Sequence, residues 1–156
     1  MDWKKLIATG FGAGCLPVAP GTWGTLPGVL LCWLMQPLHP AIYLAVMIVL
    51  ILLGIPLCSE VERQLGEKDH ASIVFDEITA FPLTMFLAPF NLGTLVLGFL
   101  LNRLMDIVKI WPCRALQSLP GGWGIMLDDL AAAVYSCALL HLILHVWNLV
   151  NHVHHV

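Results

Sequence analysis

At 156 residues the chain has the length of one domain, taken as residues 1–156, and only 11% of it is charged while 59% is apolar. That is about half the charged share of an ordinary soluble domain, and with a mean hydropathy of +0.86 it argues against free solubility. The net charge of −3, without any Lys/Arg run, excludes a nucleic-acid surface, and five cysteines scattered through apolar stretches exclude a disulfide scaffold.

From the N-terminus, Lys4 and Lys5 precede an apolar run that stops at Thr9-Gly10, too soon for the core of a signal peptide. Residues 10–28 interleave Gly10, Gly12, Gly14, Gly21, Gly24 and Gly28 with Pro17, Pro20 and Pro27, a pattern that reads as an irregular loop. Thr22 or Thr25 is expected to cap the helix that follows. Residues 19–25, with Gly21 and Thr22, read either as a pocket for phosphate at a helix N-terminus or as a plain helix-start loop.

Five apolar segments come next: residues 25–36, 41–58, 73–90, 93–111 and 127–150. Their β-branched residues do not alternate, so helices are predicted throughout. Residues 41–58 carry no charge and at 1.5 Å per residue nearly match a hydrocarbon core of about 30 Å. The expected architecture is an all-α integral membrane bundle of about five hydrophobic helices behind a Gly/Pro-rich N-terminal loop. Threaded that way, all seven Lys and Arg and all ten Asp and Glu fall on one side. The positive-inside bias of seven to zero then places that side in the cytoplasm.

Three constellations carry chemistry. Asp76-Glu77 sits about one turn inside an apolar segment, where an ionised carboxylate costs a few kcal/mol unless paired or metal-bound. Exposure of the helix end, or pairing with Arg103 or Lys109, is the other reading. Arg103, Asp106 and Lys109 recur every three residues and wind along one helix face. They read as a carboxylate flanked by two phosphate-clamping cations, or as a salt-bridge ladder at a helix end. Trp111 and Pro112 then read as an interfacial anchor and a helix stop. The third is Gly121-Gly122-Trp123-Gly124-Ile125-Met126-Leu127-Asp128-Asp129, a glycine turn whose paired acids are expected to open the last helix. Oxygen ligands without Cys or clustered His favour Mg²⁺, Mn²⁺ or Ca²⁺, and phosphate chemistry favours Mg²⁺ among them. His141, His145 and His152, followed by His154-His155, read as interfacial polar packing on the opposite side.

Several enzyme classes drop out. Cys58 and Arg63 stand one residue too close for the cysteine-phosphatase loop, and D-x-D, Ser-Gly-His and the nucleotide P-loop are all absent.

Four stretches together resemble one family, bacterial phosphatidylglycerophosphatase A. They are Gly10-Phe11-Gly12-Ala13-Gly14 with Ala19-Pro20-Gly21-Thr22-Trp23-Gly24, Ser72-Ile73-Val74-Phe75-Asp76-Glu77, the run from Arg103 to Pro112, and the run from Gly121 to Asp129. The match extends from about residue 8 to residue 135 and departs at Ala80, Ile110 and Ala133, away from the acids. The resemblance implies a helical, Mg²⁺-dependent, multi-pass enzyme of the bacterial inner membrane. It would hydrolyse the terminal phosphomonoester of phosphatidylglycerophosphate to give phosphatidylglycerol. The site residues it points to are Asp76, Glu77, Arg103, Asp106, Lys109, Asp128 and Asp129, with Pro20-Gly21-Thr22 in support.

Taken together, Glu77, Asp106, Asp128 and Asp129 are the expected ligands of one or two Mg²⁺ ions. Asp76 is the expected general base, and His70 either a second proton carrier or an exposed loop histidine. Alternatives are a phosphatase of another lipid phosphate, such as phosphatidic acid, and a non-enzymatic cation carrier whose acids would line a path through the whole bilayer. The phospholipid substrate is the expected partner, and a homo-oligomer is one assembly open to such a chain.

Overall fold

The computed structural model describes residues 2–154, all of whose regular structure is helical. The helices are α1 (Trp3–Ala8), α2 (Pro20–Met35), α3 (Pro40–Leu65), α4 (Phe75–Thr84), α5 (Leu92–Val108), α6 (Cys113–Gln117) and α7 (Gly122–His154), with a short 3₁₀ turn at Ala13–Cys15. His155 lies outside the described residues.

Local chemistry sets many of the boundaries. Pro40 opens α3, with the His39 ring accepting from Ala41 N at 3.3 Å, and Gly66 closes it in a left-handed conformation. The Asn91 side chain caps α5 by accepting from Thr94 N at 3.0 Å.

Two boundaries depart from expectation. Residues 20–28 are helical rather than loop: α2 begins at Pro20 behind Ala19, and neither Thr22 nor Thr25 caps it. Instead the Thr25 hydroxyl donates to the Gly21 carbonyl at 2.9 Å. The poor helix formers are tolerated because they permit close packing on α4. A Cβ on Gly24 would lie 2.5 Å from Val74 Cβ, and one on Gly28 would lie 3.0 Å from the Ile78 carbonyl. Backbone proximity of this kind outweighs helix propensity. The second departure is α7, which begins at Gly122, so Asp128 and Asp129 lie more than one turn inside the helix rather than at its opening. The Ser59 hydroxyl of α3 accepts from Gly122 N at 2.7 Å and satisfies one of the free donors at the start of the helix.

α4 is the centre of the bundle. It packs against α2, α3, α5 and α7, and Phe81, Pro82 and Thr84 on it are fully buried. Its polar groups find partners across helices: Tyr43 of α3 donates to the Pro82 carbonyl at 2.7 Å, and Thr84 donates to Asn102 Oδ1 of α5 at 2.9 Å.

Among the described residues, α3 and α7 are the two helices long and apolar enough to cross a membrane. α2 and α5 have 16 and 17 residues. The expected segment 73–90 folds differently from a crossing helix. α4 has ten residues and rises about 15 Å, roughly half of a hydrocarbon core, before the chain turns back into α5.

The bundle has one charged end. There Asp2 accepts from Gln64, Glu62 from Asp69 N, and Asp69 from Gln117, while Lys68 donates to the Ser118 carbonyl. At the other end the connections between α2 and α3 and between α4 and α5, neither carrying a Lys, Arg, Asp or Glu, meet, with Gln36, Leu38 and Pro40 around the same small cavity as Leu87 and Ala88. His141 binds the Phe86 carbonyl at 2.8 Å at that end, in line with its reading as polar packing.

Candidate active site

Each motif delivers its side chains from a different element. α4 contributes Asp76 and Glu77 in its first turn, the C-terminal part of α5 contributes Arg103 and Asp106, and α7 contributes Asp128 and Asp129. Lys109 follows α5 in a left-handed conformation, φ +46°, which ends the helix and lets the side chain turn back. The Tyr135 hydroxyl of α7 donates to the Trp111 carbonyl at 3.0 Å and holds this stretch against the bundle. No sequence pattern links Tyr135 to Trp111, so that support was missed.

Two groups of carboxylates result. Asp76, Glu77 and Asp129 bring one oxygen each within 4.8 Å of one another. Asp76 Oδ1, Glu77 Oε2 and Asp129 Oδ2 are buried and accept no hydrogen bond from the protein. Three converging carboxylates, each with one buried oxygen that no donor reaches, repel one another when ionised, an arrangement that is costly unless a cation or protons neutralise it. An all-oxygen set of this kind suits a hard divalent cation such as Mg²⁺.

The second group is already neutralised. Lys109 Nζ donates to Asp128 Oδ2 at 2.8 Å and stands 3.9 Å from Asp106 Oδ1, while Arg103 Nη2 lies 3.3 Å from Asp106 Oδ2. The Arg103 contact is misaligned for a hydrogen bond, so its Nε and Nη2 hydrogens have no acceptor although they are buried. Expected ligands Glu77 and Asp129 therefore join the unpartnered group, and Asp106 and Asp128 sit against cations instead. Asp76, expected as the base, lies among the unpartnered oxygens.

Gly21 connects α2 to this site. A Cβ there would lie 2.5 Å from Glu77 Oε1 and 2.6 Å from Arg103 Nη1, so the absent side chain is what lets the two groups close up. Thr22 beside it is exposed. His70 turns to its own loop: its Nδ1 accepts from Ser72 N at 3.1 Å, and its Nε2 lies 3.8 Å from Glu67. Asp69, absent from the expected set, is tied between Glu62 of α3 and Gln117 of α6 and fixes the loop that leads into α4. The sequence signal that could have found it is its place in the polar run just before the Ser72–Glu77 motif.

α4 and Lys109 lie outside the two helices of crossing length. Burial pushes the Asp76 carboxyl well above its usual range, with the charges of Glu77 and Asp129 adding to it. Burial also raises Glu77, against a hydrogen bond from Asp76 and the Arg103 charge. For Lys109, burial works against the charge, but the Asp128 hydrogen bond and the charges of Asp128, Asp106 and Asp129 outweigh it and raise the ammonium. Lys109 is thus held as a cation.

Comparison with known proteins gives a consistent result. The family model described as "PgpA: Phosphatidylglycerophosphatase A" matches residues 6–144. An Escherichia coli protein named phosphatidylglycerophosphatase A is 38% identical over 92% of this chain and 85% of its own length. A Haemophilus influenzae protein of the same name is 38% identical over 84% of this chain and 82% of its own. A Bacteroides thetaiotaomicron protein, provisionally named a phosphatidylinositol-3-phosphatase, is 34% identical over 86% of this chain and 89% of its own. No solved structure matches this chain.

Proposed function

Because the chain belongs to the phosphatidylglycerophosphatase A family and is a phosphatase, we propose that it hydrolyses the terminal phosphomonoester of phosphatidylglycerophosphate to release phosphate and phosphatidylglycerol. The observation that carries this reading is the gathering of the Asp76, Glu77 and Asp129 carboxylates, each with a buried oxygen that has no partner, while Arg103, whose Nε and Nη2 lack acceptors, comes up to the same glycine as Glu77.

In this reading Asp76, Glu77 and Asp129 hold Mg²⁺, which when bound offsets their repulsion and supplies positive charge to the phosphoryl oxygens. Arg103 binds the phosphate through Nε and Nη2, which have no acceptor in the protein, with the Asp106 charge 3.3 Å away holding the guanidinium near the site. Lys109, locked on Asp128, supplies a second fixed positive charge where negative charge grows on the phosphoryl group. Water forms the new P–O bond as the bond to the glycerol oxygen breaks; the water's proton passes to Asp76 and from it to the leaving oxygen, which departs as the glycerol hydroxyl. Gly21 and the first turn of α2 close the remaining side.

The chain is read here as a bacterial inner-membrane protein with α3 and α7 crossing the bilayer and the shorter helices packed around α4. Its charged end faces the cytoplasm, as the seven-to-zero Lys/Arg distribution favours. The acyl chains then stay in the bilayer while the phosphoglycerol head reaches the carboxylates.

A second reading, a phosphatase of another lipid phosphate, is favoured by the name of the Bacteroides relative. The test is phosphate release by the purified chain in detergent with Mg²⁺, across phosphatidylglycerophosphate, phosphatidic acid and phosphatidylinositol 3-phosphate. Turnover of the first at the highest kcat/KM is the expected result. Turnover of either of the others with no release from the first would overturn the proposal.

A further inference from the structure

Outside the carboxylate site, the most apolar cavity of the charged end is a groove of about 580 Å³ between α1 and α3. Ile7 of α1 and Leu50, Leu53 and Leu57 of α3 form its sides, and Phe75 at the start of α4 also lines it. Pro56 lies in the same wall, where a helix interior lacks one backbone N–H. Trp3 and Lys4 lie at its N-terminal end, with Lys4 Nζ 5.9 Å from the Trp3 ring. Among the described residues Lys4 is the one charged member of the lining.

We propose that this groove binds one acyl chain of an anionic phospholipid, with Lys4 on its phosphate. The proposal rests on the membrane placement given above. Three features select this occupant. The groove opens on the face of α3, where Leu52 and Leu53 are 59% and 61% exposed, so that bilayer lipid is what lies against it. Its Trp3–Lys4 end lies at the charged end, at the depth of headgroups, and its other end runs along α3 to Leu50, so that a chain entering it keeps its phosphate beside Lys4 and the Trp3 ring in the interface. The charge of its lining is a single cation in a chain that is net negative, which favours an anionic headgroup over a zwitterionic one. The bound lipid is not the substrate: Glu77 faces α2 and α5 through Gly21 and Arg103, whereas the groove opens between α1 and α3.

Trp3 gives a direct readout. The full chain is reconstituted in phosphatidylcholine vesicles containing increasing fractions of a lipid with brominated chains, either phosphatidylserine or phosphatidylcholine. The Trp3 signal is the difference between the wild-type chain and Trp3→Phe. Brominated phosphatidylserine is expected to quench it at about a fivefold lower mole fraction, the preference that one lysine near a membrane surface confers. Lys4→Gln is expected to bring the two lipids to the same mole fraction. Equal quenching by both lipids in the wild-type chain, or a preference untouched by Lys4→Gln, overturns the inference. Phosphate release from phosphatidylglycerophosphate added to the same vesicles with Mg²⁺ separates it from the proposed function. Hydrolysis with no lipid preference defeats only the groove, and a preference with no hydrolysis defeats only the catalytic reading.

Discussion

Gly21→Ala isolates the geometry of the site from the stability of the fold. The added methyl carbon would lie 2.5 Å from Glu77 Oε1 and 2.6 Å from Arg103 Nη1, where ordinary contact begins at 3.4 Å. Glu77 must then retreat by about 0.9 Å and Arg103 by about 0.8 Å, and a misplacement near 1 Å costs about 10²-fold in rate, some 2.7 kcal/mol. The backbone at Gly21 is ordinary helix, and alanine is the better helix former by up to about 1 kcal/mol, so the thermal midpoint should hold or rise slightly. Gly93→Ala is the control. It lies in the first turn of α5 and meets only Asn91 Oδ1 at 3.4 Å, so its activity should match the wild type. The assay is kcat for phosphate release from phosphatidylglycerophosphate in micelles with Mg²⁺, beside thermal unfolding in the same detergent. Full activity in Gly21→Ala would refute the claim that this glycine sets the Glu77–Arg103 approach.

Asp129→Asn should abolish phosphate release while the chain still inserts and purifies, because the amide removes one of three converging anionic oxygens. Full activity in that variant would take Asp129 out of the site. Lys109→Gln removes the partner of a nearly buried Asp128 and should lower kcat by about 10²- to 10³-fold, as loss of a fixed transition-state charge does. Lys109→Arg should recover only part of it, since the planar fork does not fit the place of a compact ammonium. EDTA should stop turnover and Mg²⁺ should restore it. The same cation should alter the pH dependence of stability. Asp76 and Glu77 are raised in the folded chain above their unfolded values of 3.8 and 4.5, so the folded state holds their protons more tightly. Their contribution is complete below those values and is lost as pH rises toward the folded pKa values. The metal-free chain should therefore unfold at lower temperature at pH 8 than at pH 5, and saturating Mg²⁺ should narrow that gap. A melting temperature independent of pH in EDTA would contradict the arrangement.

The primary sequence determined the chemical inventory and its coarse placement. Low charge and uncharged apolar runs forced helices, and the spacing of Arg103, Asp106 and Lys109 put them on one face, because a helical repeat depends on neighbours along the chain alone. Other features depended on distant contacts. Residues 20–28 looked like loop because glycine and proline are poor helix formers, and only the approach of Val74 and Ile78 from α4 reveals why they are used there. The start of α7 was hidden in the same way, since its cap is Ser59 of another helix. The division of the carboxylates was hidden too. Asp128 and Asp129 are alike in sequence, but successive residues point about 100° apart around a helix. The rotation of α7 against α4 and α5 turns one toward Lys109 and the other toward Asp76 and Glu77. That rotation is set by packing across the whole bundle, so it belongs to the tertiary structure alone.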